Sequence, residues 1–166
     1  MSAKLDAIDT RILKELQADG RLTNVALSAR VGITPPPCLR RVRGLEEAGY
    51  ITGYHAAMDE RRLGFAVTAY AMVGLYSQSE TDLRAFENRV LSWPLVRTCD
   101  YLAGETDFIL RCIAPDMQAF QDFVTRELTA APNVATVKTF LSIRSVKREP
   151  GVPLGQLPHV IRGPRK

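Results

Sequence analysis

The sequence predicts an α+β protein of two domains, on three observations. Its 166 residues are enough for two domains of about 60–90 residues each. The first third of the chain carries three short runs with apolar residues at helical spacing. The region from residue 67 to residue 146 alternates strand and helix patterns in the order β-α-β-β-α-β. We therefore expect an N-terminal winged helix-turn-helix domain and a C-terminal ferredoxin-like βαββαβ sandwich.

The first two predicted helices are amphipathic and have recognisable ends. The first covers about residues 6–18, with Asp6 and Asp9 in the first turn, where the helix dipole favours anions. Its apolar face is formed by Leu5, Ile8, Ile12, Leu13 and Leu16. The second begins near Thr23, a good N-cap residue, and Gly32 supplies the sharp turn after it.

The third predicted helix begins with the hydroxyl of Thr34 as cap and Pro35 at the first helical position. Pro36 and Pro37 still fall in the first turn, where backbone N–H groups have no intrahelical partner, so they are tolerated there. The inward positions are Leu39, Val42 and Leu45, and the outward ones are Arg40, Arg41 and Arg43. Gly49 ends the helix.

Residues 51–58 are compatible with a two-stranded wing around Thr52 and Gly53, so the first domain is expected to span residues 1–58. The polar segment 59–66 is interpreted as the linker between the domains.

The second domain is expected over residues 67–149. Its predicted elements are strand 67–76, helix 80–91, strands 96–103 and 107–114, helix 116–128 and strand 134–146. The first of these strands is apolar on both faces, whereas this topology places both helices on one face of the sheet. The other face would expose a hydrophobic patch that a monomer rarely tolerates. Dimerisation through the sheet is the simplest way to bury this patch.

The segment 150–166 has four prolines, three glycines, three basic residues and no acidic residue. We expect a flexible basic tail, solvated or touching DNA phosphates or a neighbouring subunit. The chain has no apolar run long enough to span a membrane and no secretory signal at its start, so a cytoplasmic location is the default expectation. The three cysteines are far apart in sequence and odd in number, which favours neither disulfides nor a zinc site.

The helix-turn-helix frame points to double-stranded DNA as a partner. In such motifs the second helix enters the major groove, and its arginines contact phosphate or pair with guanine. Arg40, Arg41 and Arg43 are the candidates, and the N–H groups at the start of this helix suit a phosphate. Two alternatives remain: the arginines form a solvated basic face, or Arg41 pairs within the domain, with Asp9 or Glu46.

Motifs along both halves of the chain resemble the leucine-responsive regulatory protein/AsnC (Lrp/AsnC) family of transcription regulators. The matching segments are residues 5–13, 19–21, 31–34, 38–45, 49–54, 104–108, 115–117 and 146–147. The resemblance implies a regulator that is not an enzyme, with dimers that commonly join into tetramers, octamers or related rings. It completes the DNA-contact set as Thr34, Pro35, Pro36, Cys38, Arg40, Arg41 and Arg43.

The resemblance also implies an effector, usually an amino acid, bound between subunits, and no other cofactor. The implied effector residues are Leu102, Ala103, Gly104, Glu105, Thr106, Asp107, Thr139 and Leu141. Glu105 replaces the aspartate usual in this loop, which keeps the charge but changes its reach. Glu105 and Asp107 are suited to an α-ammonium group, and Gly104 lets a ligand approach the backbone.

Two other interpretations remain. The loop at 102–107 is also compatible with a plain β-hairpin, in which Gly104 makes the turn and Thr106 and Asp107 satisfy its backbone. An architectural DNA-binding protein without a metabolite response is the alternative function. An enzyme is disfavoured, because the sequence carries no phosphate loop and no nucleophile–base signature.

Overall fold

The computed structural model describes residues 5–156, which divide into two compact units. The first unit contains residues up to 57 together with the segment from residue 147 onward, and the second is Met58–Val146. No helix within the described residues is long and apolar enough to cross a membrane. The expected tail residues 157–166 lie outside the described part of the chain.

Three helices form the first unit: α1 Ala7–Ala18, α2 Asn24–Val31 and α3 Pro35–Glu47. α1 begins with a capping box, in which the Asp6 carboxylate accepts from the Asp9 N–H at 2.8 Å and the Asp9 carboxylate accepts from the Asp6 N–H at 3.2 Å. Their shared core is made of Leu5, Ile12, Leu27, Val31, Cys38 and Leu45. Burial of these side chains fixes α3 against the other two helices.

Gly32 makes the turn between α2 and α3, with a left-handed backbone at φ 77°. A side chain rarely adopts this conformation, so we expect Gly32→Ala to lower the free energy of unfolding by about 1 kcal/mol. Gly44→Ala is the matched control, because Gly44 lies within α3 and an added Cβ meets nothing within 4 Å. That variant should be neutral or slightly stabilising. Thermal unfolding of both variants tests the difference, and equal melting temperatures would contradict it.

The second unit is a four-stranded antiparallel sheet with helices. Its elements in chain order are β1 Val67–Leu75, α4 Glu80–Val90, β2 Val96–Tyr101, β3 Phe108–Ala114, α5 Met117–Phe123 with a following π-helical turn Val124–Leu128, and β4 Val134–Leu141. The strand order β2-β3-β1-β4, with every neighbouring pair antiparallel, is that of the expected ferredoxin-like sandwich.

The core of the second unit lies on one face of this sheet. Alternate residues of β1 are fully buried there, and aromatic rings from both helices and β3 fill the space. The ring of Phe86 packs 4.8 Å from that of Phe108 and 5.9 Å from that of Trp93. The ring contacts join α4, β3 and the segment after α4 into one hydrophobic cluster.

The opposite face of the sheet is only partly covered. The register places Met72 beside Ile109 and Tyr70 beside Phe140 on it, and Phe140 is half-exposed. An ion pair of 2.9 Å joins Arg111 on this face to Glu60 of the linker. The expected apolar patch is thus present, with one edge tied to the linker.

The wing differs from the expectation. Residues 51–58 contain no paired strand. The chain folds back onto the end of α3 instead: the N–H groups of Tyr50 and Ile51 both donate to the Leu45 carbonyl. The Tyr54 hydroxyl donates to Glu46 at 2.9 Å. These bonds tie the start of the segment and Tyr54 to α3, and residues 52–58 are exposed, so water can satisfy their backbone groups.

The start of the tail was expected to be flexible, and this prediction was wrong for residues 151–154. Val152 is bound through its backbone to the Gln17 side chain, and Leu154 is buried with only 8% of its surface exposed. Apolar burial and two hydrogen bonds outweigh the flexibility that the proline and glycine content predicted.

Candidate nucleic-acid interface and effector loop

The exposed face of α3 carries two free cationic side chains. Arg40 and Arg43 are both exposed and make no hydrogen bond or ion pair with any described residue. Leu39 lies beside them with 39% of its surface exposed, although the helical spacing predicted it to point inward. This face therefore presents two unpaired guanidinium groups and an apolar contact, which is the chemistry of a DNA-reading helix.

Arg41 does not belong to this exposed face. Its Nη1 atom lies 2.7 Å from a carboxylate oxygen of Asp6 and 2.7 Å from one of Asp9. These bonds, the one to Asp9 foremost, raise the pKa of the guanidinium. Arg41 as a DNA contact is thus corrected: it clamps α3 to the start of α1, as the ion-pair alternative with Asp9 foresaw.

The clamp also changes the acidity of Asp6. Partial burial alone would raise the pKa of its carboxyl, but the Asp9 N–H and the Arg41 guanidinium outweigh this effect. The net result is a pKa below the usual 3.8. Asp6 is therefore held as a carboxylate, in the form that pairs with Arg41.

The start of α3 is not the anion site that the sequence indicated. Thr34 makes no side-chain cap bond, because the second and third helical residues, Pro36 and Pro37, have no N–H to donate to its hydroxyl. Pro35 lacks one as well, and the Cys38 N–H already donates to the Thr34 carbonyl at 3.2 Å. Thr34 and Pro36 are exposed, so their contact with DNA would be steric or through the Thr34 hydroxyl.

Cys38 is fully buried in the core of the first unit, where burial raises the pKa of its thiol. Its assignment as a DNA contact was wrong. α3 starts where the sequence predicted, and its inward positions are Cys38, Val42 and Leu45, a spacing of four and three residues that leaves Leu39 outside.

The predicted effector loop connects β2 to β3. Its two ends are closed by the Leu102 N–H donating to the Asp107 carbonyl at 2.7 Å. The Thr106 hydroxyl donates to the Val73 carbonyl at 3.0 Å, and the Asp107 carboxylate accepts from the Leu75 N–H at 2.7 Å. Thr106 and Asp107 thus fasten the loop to the end of β1, rather than to the hairpin itself.

The tip of the loop is open. Ala103, Gly104 and Glu105 are all exposed. Gly104 is not among the glycines with positive φ, and an added Cβ there meets nothing within 4 Å. β2 and β3 do form an antiparallel hairpin around this loop, but Gly104 does not use the left-handed backbone that glycine favours, and the Thr106 and Asp107 side chains bond to β1. Of the two carboxylates of this loop, Glu105 is exposed and Asp107 is bonded to the Leu75 N–H.

Thr139 and Leu141 are not gathered with the loop in a single chain. They lie on β4 opposite Ala71 and Ala69, and both are exposed. Leu141 is thus four residues along the strands from Val73, which at strand spacing is about 13 Å. The structure assembles the loop at one end of the sheet and leaves these two side chains on its edge strand. Within residues 5–156, no group of three or more His, Cys, Asp or Glu side chains is placed to hold a metal ion.

Sequence reasoning missed two contributors to the first unit. Asp6 was assigned only to the helix dipole, although it shares the Arg41 clamp with Asp9. Gln17 was not singled out, although its amide binds the chain at Val152. The spacing of Asp6 and Asp9 on one end of α1 was an available signal for the clamp. The Gln17 contact spans more than a hundred residues, so no local pattern indicates it.

Comparison with known families agrees with this geometry. The "Lrp/AsnC ligand binding domain" matches residues 68–152, and a "winged helix-turn-helix DNA-binding" domain matches residues 5–52. The chain belongs to the Lrp/AsnC family. It is therefore a transcriptional regulator with a DNA-binding domain and a ligand-binding domain, and the predicted fold class is confirmed.

Individual members of the Lrp/AsnC family match over most of the chain. A leucine-responsive regulatory protein of Rhizobium meliloti is 58% identical over 144 residues, which cover 87% of this chain and 92% of that protein. The Bkd operon transcriptional regulator of Pseudomonas aeruginosa is 41% identical over 92% of this chain and 99% of its own length. A solved structure of a Neisseria meningitidis transcriptional regulator in complex with L-methionine superposes with a TM-score of 0.86, at 36% identity over 90% of this chain and 97% of that one.

Proposed function

We propose that this Lrp/AsnC-family regulator binds double-stranded DNA through Arg40 and Arg43 of α3, and that an amino acid bound at the 102–107 loop changes its DNA affinity. The observation that carries the proposal is that these two arginines, on the second helix of a helix-turn-helix, are exposed and pair with no residue between 5 and 156. We further propose that it acts in the cytoplasm, as a regulator rather than as an enzyme.

The chemistry of the loop supports an amino acid as the effector. Glu105 supplies an exposed carboxylate for an α-ammonium group, while backbone N–H groups of the exposed tip are available for an α-carboxylate. The Asp107 carboxylate accepts a hydrogen bond from the Leu75 N–H, so its proposed role is to fix the conformation of the loop. The L-methionine complex of the related regulator supports the same ligand class.

The partly covered sheet face supports a homodimer as the basic unit, and the family points to further assembly into tetramers or octamers. Tyr70, Met72, Ile109 and Phe140 form an apolar strip that a second copy would bury. Because Thr139 and Leu141 are separated from the loop within one chain, we place their contribution to the effector site across a contact between subunits.

A thermal-shift screen with the twenty amino acids tests the effector. A ligand that binds only the native state at a hundred times its Kd stabilises it by about 2.7 kcal/mol. We expect at least one hydrophobic amino acid to raise the melting temperature, and Glu105→Gln to weaken that ligand about tenfold. Glu80→Gln is the control, since Glu80 is an exposed residue of α4 in an ion pair with Arg84.

The screen also separates the two candidate functions. Twenty unchanged melting temperatures at millimolar ligand would favour the architectural DNA-binding alternative. A shift that Glu105→Gln leaves intact would place the amino acid elsewhere on the protein.

A further inference from the structure

The last described residues form a strap on the DNA-binding unit. We call residues 150–156 the C-terminal strap. The Gln17 amide donates to the Val152 carbonyl at 2.9 Å, and its oxygen accepts from the Val152 N–H at 3.0 Å. One side chain thus satisfies both polar groups of one strap residue, as a neighbouring strand would. Leu154 is buried beside it.

Gly151 is required by this docking. Its φ of 76° lies in the left-handed region, and a Cβ built there would run into the Gln17 side chain. A larger residue at position 151 would therefore both strain the backbone and displace the amide that holds Val152. The strap depends on a specific fit between Gly151 and Gln17.

The seat of the strap includes the segment that follows α3. A groove of about 520 Å³ runs between the strap and this unit. Its mostly apolar walls come from α1, from residues 50–54 and from the strap. Tyr54 in this wall bonds to Glu46 of α3, and its burial, together with that bond, raises the pKa of its hydroxyl to about 12. The strap and Tyr54, which is bonded to α3, thus line the same groove, while the hydrogen bonds of the strap are made to Gln17 of α1.

The strap also makes a second covalent connection between the two units. The chain leaves the DNA-binding unit between residues 57 and 58 and returns to it between residues 146 and 147. Only eight residues, 142–149, separate the end of β4 from the strap. β4 carries Thr139 and Leu141, which belong to the proposed effector site. The strap is thus joined to β4 by a stretch of only eight residues.

We propose that docking of the C-terminal strap couples the effector state of the ligand-binding domain to the DNA-binding domain. The inference rests on the proposed effector response. One effector state is compatible with the docked strap, and the other draws the chain after β4 away from its seat. Release breaks both Gln17 bonds, exposes Leu154 and removes one wall of the groove that Tyr54 also lines. The two states then differ in affinity for DNA.

The test uses two variants of the full chain that release the strap. Gln17→Ala removes both hydrogen bonds, and Gly151→Val removes the fit. Val152→Ala is the matched control, because the Val152 side chain is 57% exposed and its bonds to Gln17 are made by the backbone. Hydrogen exchange of the Val152 amide reports docking, since its N–H is protected only while it is bonded to Gln17.

The functional readout is the ratio of DNA Kd values with and without L-methionine or L-leucine, measured on a duplex selected from a random library by the wild-type protein. We expect both release variants to bind the amino acid within twofold of wild type, while the effector-induced change in DNA Kd falls at least fivefold. The Val152→Ala control should keep both the amino-acid affinity and the effector-induced change in DNA Kd. The loss of coupling without loss of binding is the signature of the strap.

Each outcome is decisive. If Gln17→Ala and Gly151→Val accelerate exchange of the Val152 amide but keep the full effector response, the strap does not couple the domains. If neither accelerates exchange, the Gln17–Gly151 contact does not hold the strap, and the proposal is equally overturned. If the wild-type protein itself shows no effector-dependent DNA affinity, the proposed function has failed, which is a distinguishable result.

Discussion

Replacing Arg40 and Arg43 together by alanine is expected to weaken binding to a selected DNA site by about 2–6 kcal/mol. Each arginine that reads a base contributes about 1–3 kcal/mol, and both side chains are exposed and pair with none of the residues that the structure describes. A contact to phosphate instead would lower the slope of log affinity against log salt by about one for each arginine. Titrations at several salt concentrations therefore separate the two roles.

Arg84→Ala is the control for this double variant. Arg84 is an exposed arginine of α4 whose ion pair with Glu80 lies in the ligand-binding domain. The Arg84→Ala substitution changes the net charge by one and should leave the affinity for the selected DNA site nearly unchanged. The melting temperature of the double variant should also stay close to wild type, because within the described part of the chain neither arginine has a partner to lose. Unaltered affinity at fixed salt would remove both residues from the DNA interface.

Replacing Arg41 by alanine is expected to lower the free energy of unfolding of the DNA-binding domain by about 2 kcal/mol. The guanidinium is 33% exposed and makes two charge-assisted bonds, so its contribution lies between those of a surface pair and a buried one. Its loss also leaves Asp6 and Asp9 facing each other without a cation. Chemical denaturation followed by circular dichroism measures the change.

The pH dependence of this effect follows from Asp6. Because its pKa in the folded protein is below 3.8, its contribution is present above that value and is lost as the pH falls through the lowered pKa. The stability difference between wild type and Arg41→Ala should therefore be constant at neutral pH and shrink below about pH 4. A difference that persists unchanged to pH 2 would show that packing, rather than the charge pair, is responsible.

A matched comparison comes from Arg30, which pairs with Glu15 at 3.0 Å between α2 and α1. The Arg30 side chain is half-exposed, so Arg30→Ala should cost no more than about 1 kcal/mol. Equal destabilisation by Arg30→Ala and Arg41→Ala would contradict the special role of the Asp6–Arg41–Asp9 clamp.

Helices and strands that depend on nearby capping residues and local apolar spacing were predictable from the sequence. The three helices of the first unit begin at capping residues and end at glycine or turn signals, so their positions match the expectation within a residue or two. The βαββαβ order followed from alternating periodicities, since each strand or helix carries its own pattern. The last strand was the exception. It ends at Leu141, and the apolar residues beyond it, such as Ile143 and Val146, are exposed without pairing.

The candidate sites were only partly predictable. The sequence placed the three arginines on α3, but geometry divided them into two that face outward and one that holds the domain together. In the loop, Asp107 and Glu105 are both acidic, yet only Glu105 is left exposed, because the Asp107 carboxylate is bonded to the Leu75 N–H. The sequence shows which side chains are acidic or basic, whereas the tertiary structure decides which of them remain exposed.

The sequence by itself determined the fold class, the family and the chemistry of both candidate sites, because caps, periodicity and motif spacing act over a few residues. The tertiary structure decided the helical phase that buries Cys38, the Arg41 clamp and the docking of the C-terminal strap on Gln17. The clamp and the docked strap depend on contacts between residues 32 to 135 positions apart. Each of these contacts is stabilised by a residue that is distant in the sequence, so the two residues meet only in the folded chain.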